Sequence, residues 1–502
     1  MHDFLRPLPL VFGLLACLIA AMPALAQNDP PRLLVSTNDR HLVRENGQPF
    51  FWLGDTVWEL THKLSREQID TYLDDRQARG FNVIQTVGLA ELDGLTVPNV
   101  YGELPLNNLD PTQPNDAYFE HVDYAIDQAA ARGMYVAFLP TWGDKVDSLW
   151  GTDPPIFDPD YQGQGDAAAE AKARSYGQYV GNRYKDRDNV IFVLGGDRRP
   201  DVEQNVWQAM AESVEAASDG QLMTFHPLKE FSSSDAFHNE NWLDFNMLQS
   251  GQSELEDSYN DIKQDYNKTP IKPTIDAEAR YEGQGNTPLW VRRKAYWATF
   301  AGAFGHTYGH FSLWKIVRDQ DTQYSGEPTW DEALSAEGGD DMRHLKALIE
   351  SRPMLDRIPD QSLITVSEGT FDDRLQATRG EDGSYAMVYS SNGRSFDIDL
   401  SKLDGSAGLV GWWFDPRDGS VQQILDAIAS SGTMTFTPPS FGDDWVLVLD
   451  AADAGYPIPA GTFEQPRDPV IPEPGSALLL GGAVALLTLQ RRGHGRSGRM
   501  AR

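Results

Sequence analysis

Two carboxylates stand where a parallel sheet would present them to a cavity. Val190-Ile191-Phe192-Val193-Leu194 is an unbroken apolar run, and Gly195-Gly196 ends it just before Asp197. Ile271-Lys272-Pro273-Thr274-Ile275-Asp276-Ala277-Glu278 repeats the plan and delivers a second acid. A short apolar run without alternation, closed by glycine, reads as a strand buried on both faces of a parallel sheet. Acids at the C-terminal ends of two such strands suit glycoside hydrolysis at the mouth of a barrel. One carboxylate attacks the anomeric carbon, and the other protonates the leaving oxygen. Retention of configuration needs the two roughly 5–5.5 Å apart. The plainer reading is a structural ion pair of Asp197 with Arg198 or Arg280. The burial of both strands favours the chemical one. An acid/base at Asp197 must hold its proton above the ordinary aspartate value of roughly 3.9. Arg198 is therefore expected to point away, toward Asp201.

Positioning such a pair takes a regular frame, and the chain supplies one. From Phe51 there are eight strand candidates separated by helical stretches: Phe50-Phe51-Trp52-Leu53, Phe81 to Gln85, Met134 to Leu139, Val190 to Leu194, Leu222 to His226, Leu243 to Leu248, the Glu278 strand, and a last strand and loop over His306 to Trp314. Ser65 and Gln68 form a capping-box pattern at the first long helix. Asn46-Gly47 marks a hairpin ahead of the first strand. Eight alternating units predict an α/β fold, a (β/α)8 TIM barrel, with Asp197 after the fourth strand and Glu278 after the seventh. From about Ile358 the pattern becomes short strands with turns, around Ser384–Tyr389, Gly411–Phe414, Thr433–Thr437 and Trp445–Leu449. This predicts a C-terminal antiparallel β-sandwich.

The expected organisation is a signal peptide over 1–26, a catalytic barrel over 27–355, a sandwich over 356–452, a Pro-rich linker over 453–470 and a sorting tail over 471–502. Arg6, the apolar stretch Leu8 to Met22 and Ala24-Leu25-Ala26 have the order of an export signal with an A-x-A cleavage site. The sole cysteine, Cys17, falls inside it. The mature chain then has no disulfide, thiolate metal site or cysteine nucleophile. A net charge of −32 argues against nucleic-acid binding and suits a soluble exported protein. The 13 tryptophans fit a cleft in which sugar C–H faces stack on rings.

Further polar and aromatic side chains recur at strand ends: Asp55, Trp58, Gln85, Trp142, His226, Gln252, Tyr281, His310 and Trp314. Any one of them reads more simply as structural. Together they predict a carbohydrate-binding cleft. No cofactor and no metal are expected. H-E-x-x-H is absent, and His306-x-x-x-His310 falls on a strand and loop rather than a helix.

Six long motifs carry a resemblance: Phe51-Trp52-Leu53-Gly54-Asp55-Thr56, Leu89-Ala90-Glu91-Leu92-Asp93-Gly94-Leu95, Pro140-Thr141-Trp142-Gly143-Asp144-Lys145, Leu194-Gly195-Gly196-Asp197-Arg198, Trp242-Leu243-Asp244-Phe245-Asn246 and Gly305-His306-Thr307-Tyr308-Gly309. Over roughly Arg32 to Asp450 the chain resembles the apiosidase-like glycoside hydrolases, a family with a catalytic barrel and a C-terminal sandwich of the collagen-binding type. The resemblance implies Asp197 as acid/base and Glu278 as nucleophile, acting on an apiose-containing pectic side chain or on a bacterial or algal polysaccharide. The chain departs from the family pattern in three places. Asp276-Ala277-Glu278-Ala279 replaces D-G-E-P, Gln252 stands where His is frequent, and His310 stands where Asn is frequent. The two latter positions are expected at the sugar subsite. The tail resembles a PEP-CTERM sorting signal: Pro472-Glu473-Pro474, an apolar run from Ala477 to Leu489, then Arg491-Arg492. It implies transient membrane contact, processing by an exosortase-type enzyme, and secretion or surface display in a Gram-negative bacterium. The alternative from another class is a non-catalytic cell-surface glycan-binding protein or adhesin. Retention of both acids favours the enzyme.

Overall fold

The computed structural model describes residues 30–147, 149–251 and 257–461. The expected signal peptide, the sorting tail and Gln252 lie outside the described residues. Among the described residues no helix is long and apolar enough to cross a membrane.

Eight parallel strands form one sheet: Trp52–Thr56 (β1), Val83–Leu89 (β2), Tyr135–Thr141 (β3), Val190–Arg198 (β4), Met223–Pro227 (β5), Asn246–Leu248 (β6), Thr274–Asp276 (β7) and Gly305–Tyr308 (β8). Hydrogen bonding runs β5-β4-β3-β2-β1-β8-β7-β6, which leaves β5 and β6 beside one another to close the ring. The sheet is a TIM barrel, as the strand count predicted, with Asp197 on the fourth strand and Glu278 just beyond the seventh. The last strand is shorter than expected. Phe311–Trp314 is a helical turn rather than loop, capped by His310. β7 starts only at Thr274, because Pro273 has no N–H to give to a ladder.

Side-chain parity divides the core. Trp52, Val83, Val87, Ala137, Ile191, Val193, Met247 and Ile275 fill the barrel interior. Leu53, Ile84, Val136, Phe192 and Leu194 point outward against the helices. This is the period of two expected of a pleated strand with both faces buried. The first long helix, Arg66–Ala78, begins at Ser65 with the predicted reciprocal capping box to Gln68. A small antiparallel sheet, Leu33–Val35, Leu42–Arg44 and Pro49–Phe50, packs against the N-terminal ends of the barrel strands. Its second turn sits at the expected Asn46-Gly47.

The C-terminal unit is antiparallel, as expected. A six-stranded sheet runs Arg357–Pro359, Leu375–Gly380, Tyr385–Ser390, Trp445–Ala451, Leu409–Phe414, Val421–Ile428. A two-stranded layer, Phe396–Asp399 with Thr433–Phe436, packs over it around Phe396, Ile398, Trp413 and Phe436. Helix Pro288–Phe300, which follows β7 in the chain, joins this unit to the barrel. Arg292 makes two bonds to Asp444 and one to Asp341, Trp297 donates to Ser391, and Tyr296 stacks on Tyr389 at 4.7 Å.

Candidate active site

At the end of β4 the backbone leaves ordinary strand geometry. Gly195, Gly196 and Asp197 all have positive φ, at 90°, 107° and 51°. The pairing with β5 slips between Gly195 and Arg198. A Cβ on Gly195 would lie 2.2 Å from the His226 carbonyl, and one on Gly196 would lie 2.7 Å from the Trp142 ring. Both positions therefore require glycine. The resulting bulge re-aims the next side chain, which is how a strand end delivers Asp197 into the cavity.

That cavity has a volume of about 450 Å3, and its walls include Trp58, Trp142, Asp197, Glu278, Tyr281 and Trp314. Asp197, His226 and Glu278 each place one oxygen or nitrogen within 4.8 Å of the other two. His226 Nε2 is 3.0 Å from Glu278 Oε2, without the alignment of a hydrogen bond. Its ring is packed against Trp58 at 5.3 Å and Trp142 at 6.0 Å. Burial alone would drive the imidazole pKa down. The Glu278 carboxylate, joined by Asp197, outweighs it and holds the value above that of an ordinary histidine. Asp197 is raised to about 7, first by burial and then by the Glu278 charge, against smaller pulls from His226, Gln249 and Arg198. Arg198 turns away from the Asp197 carboxylate, as expected. Its partners are the carbonyls of Asp147, Trp150 and Asp197 itself, and it is Arg199 that pairs with Asp201.

Of the side chains proposed from sequence, Trp58, Trp142, Asp197, Tyr281, Glu278 and Trp314 share the cavity, and His226 lies behind Glu278. Three sit elsewhere. Asp55 has the outward parity of β1, where its carboxylate accepts from Tyr72 at 2.6 Å and faces Arg76 at 3.4 Å. Gln85 is buried inside the barrel and donates to Thr56 Oγ1 and the Ala277 carbonyl. His310 Nδ1 accepts from the Ser312 N–H and caps a helical turn, and burial lowers its pKa to about 4. Sequence reasoning passed over Glu91, Trp150, Gln249, Asn286 and Phe311, which also line the cavity. Glu91 lay in a motif already singled out. Gln249 follows β6 directly and Trp150 is a tryptophan, so strand ends and residue type could have pointed to both, whereas Asn286 and Phe311 lie in loop and helical turn without such a signal.

The same three groups, Asp197, His226 and Glu278, are the one set among the described residues that could take a metal ion. As a ligand set it would occupy both acids, whereas hydrolysis by an acid pair uses them directly.

Residues 36–356 match the family described as "Apiosidase-like, catalytic domain", and residues 358–450 match "Putative collagen-binding domain of a collagenase". A solved structure described as a glycoside hydrolase is 34% identical over 84% of this chain and 97% of its own, with a TM-score of 0.74. A glycoside hydrolase family 5 structure from Bacteroides vulgatus is 34% identical over 86% of this chain and 96% of its own, with a TM-score of 0.75. No curated protein matches the chain.

Proposed function

This chain belongs to the apiosidase-like family of glycoside hydrolases, and from that premise we propose that it is a retaining enzyme with Glu278 as nucleophile and Asp197 as acid/base. Glu278 attacks the anomeric carbon as Asp197 gives its proton to the leaving oxygen. The leaving alcohol departs, and a glycosyl ester remains on Glu278. Asp197, now ionised, takes a proton from water. The hydroxide oxygen displaces Glu278, and both acids regain their starting states.

The observation that carries this reading is the spacing of the pair. Their nearer oxygens lie within 4.8 Å, close to the roughly 5–5.5 Å of retaining enzymes and well short of the roughly 6.5–9.5 Å that leaves room for water in inverting ones. The raised pKa of Asp197 fits the acid role. Recording the anomer first released, by proton NMR on an aryl glycoside the enzyme turns over, tests it. Release of the opposite anomer removes the retaining mechanism.

For the substrate, the reading is a glycan of the plant cell wall carrying apiose, or a bacterial or algal polysaccharide. The family description and the tryptophan-lined cavity support it. For location, it is an exported protein of a Gram-negative bacterium, processed at both ends. The A-x-A site at 24–26 and Pro472-Glu473-Pro474 with its apolar and basic sequel support that. Mass spectrometry of the protein from its native host decides it. A secreted form still ending at Arg502 would sink the sorting-signal reading.

A further inference from the structure

We infer that Glu91 touches the substrate: its side chain hydrogen-bonds a hydroxyl of the sugar held against Asp197 and Glu278, and so helps set which sugar the site accepts. The inference rests on the glycosidase reading above and adds a specificity-determining residue to it.

Glu91 follows β2 by two residues and lines the same cavity as the catalytic pair. Its backbone is tied from several sides. The Lys145 ammonium, held by Asp144 at 2.7 Å and Asp153 at 2.9 Å, donates to the carbonyls of Ala90 and Glu91. Glu59 accepts from the Leu92 N–H, and Asp153 from the Leu95 N–H. The neighbouring carboxylates are thus engaged in building the loop: Glu59 also binds His62 at 2.7 Å. The Glu91 carboxyl has no hydrogen-bond donor among the described residues and, unlike Asp144, which pairs with Lys145, no ion-pair partner there either. A fixed backbone with an unengaged polar group facing a cavity is the arrangement of a ligand contact, because the loop has already ordered the backbone that carries it.

The chemistry suits a sugar. Burial, then the charges of Asp197, Glu59 and Asp144, push the Glu91 carboxyl up to about 8 against the opposing pull of Lys145. At neutral pH it holds its proton and offers one donor and one acceptor. A sugar hydroxyl has the same pair of roles and can answer both. A carboxylic acid kept neutral also spares the catalytic pair a further negative charge beside the one it carries.

The test pairs enzyme variants with altered substrate. The probe is the aryl glycoside that the purified wild-type chain turns over best, together with its monodeoxy analogues. In the wild type, one deoxy position loses about tenfold in kcat/KM, the worth of a single hydrogen bond to substrate. Glu91→Ala loses about as much on the parent substrate, and removal of that same hydroxyl then costs nothing further. The other deoxy positions keep their wild-type penalties. Glu91→Met, which keeps the volume and removes the polar atoms, gives the same pattern and carries the test if the alanine variant does not fold. Unchanged penalties at every position in both variants overturn the inference and leave the glycosidase reading intact. A wild-type chain inert on every aryl glycoside removes the reading, and the inference falls with it.

Discussion

The cleft and the seam between barrel and sandwich both bury charge, and they treat it in opposite ways. At the seam Arg292 and Arg352 are matched by carboxylates, while Arg357 is held by the carbonyls of Thr299 and Ala303. Arg292 makes bonds of 2.9 and 2.8 Å to Asp444 and 2.7 Å to Asp341, and Arg352 makes two bonds of 2.7 Å to Asp450. In the cleft, Asp197 Oδ1 and Glu278 Oε2 have no aligned donor, and the guanidinium of Arg198, next to Asp197 in the chain, is turned onto loop carbonyls. A buried charge compensated on all sides is architecture. A buried carboxylate left without an arginine partner holds free energy that a reaction can draw on.

The sharpest way to break this contrast is at the nucleophile. Glu278→Gln keeps size and removes the charge, and turnover should fall by more than about a thousandfold. The fold and sugar binding should persist, checked by circular dichroism and calorimetric titration. Activity near wild type would reject Glu278. Next comes Asp197→Ala. Substrates with poor leaving groups should slow by about 10²–10⁴, the range of a lost general acid. Activated aryl glycosides, which need little protonation, should slow far less, and azide should rescue them as a glycosyl azide of retained configuration. In the wild type, kcat/KM should fall as pH rises through the Asp197 value of about 7.

The seam makes the converse claim. Asp444→Ala takes two of its three carboxylate bonds from Arg292, which is 4% exposed and keeps Asp341, and should cost about 1.5–3 kcal/mol of stability in denaturant unfolding. Its kcat, measured well below the melting point, should not change. A variant as stable as wild type would show that these charges do not hold the two units together.

An effect of similar size and opposite sign sharpens the comparison from the cleft side, because Asp197→Asn should stabilise the protein while it removes activity. The sign follows from the raised pKa. In the unfolded chain the aspartate ionises near roughly 3.9, but in the folded protein only near about 7. Folding then costs more as pH climbs between those values, and the cost levels off above. The asparagine variant should gain nothing at pH 4, and on the order of a few kcal/mol at pH 7 and above. The smallest expected effect is that of chelation. EDTA should leave turnover unchanged, and a loss restored by added zinc would turn Asp197, His226 and Glu278 into a metal site.

How much of this was legible in the sequence varies with the kind of signal. The acids were legible because a buried strand followed by Gly-Gly or a short turn fixes where the next side chain emerges. The tryptophans Trp58, Trp142 and Trp314 were found by the same rule. Asp55 was misplaced because it lies within β1, where parity decides direction. Trp52 faces in, so Leu53 and Asp55 face out. An all-apolar strand shows no alternation from which parity could be read. Gln85 was expected at the end of its strand but is the third residue of β2 and lies inside the barrel, and His310 lies past the end of β8, where it caps the next helical turn. Trp150 reaches the cavity from a loop held by a distant partner, Arg198, which donates to its carbonyl, and Asn286 from a turn in which it donates to the Tyr281 carbonyl and accepts from Arg280 Nε.

The helix Pro288–Phe300 gives the seam a mechanical meaning. The last strand, Trp445–Ala451, lies inside its sheet between two neighbours, and the chain continues from it toward the C-terminal end. A pull on that end is spread over the whole sheet before it reaches the barrel. It then enters through guanidinium–carboxylate bonds at Arg292 and Arg352. Arg292 stands on the helix just downstream of the Glu278 wall, while Asp197 stands on β4, which does not neighbour β7 in the sheet. Tension applied to a tethered molecule would thus load one half of the catalytic pair before the other, and the first thing to change would be the gap between them.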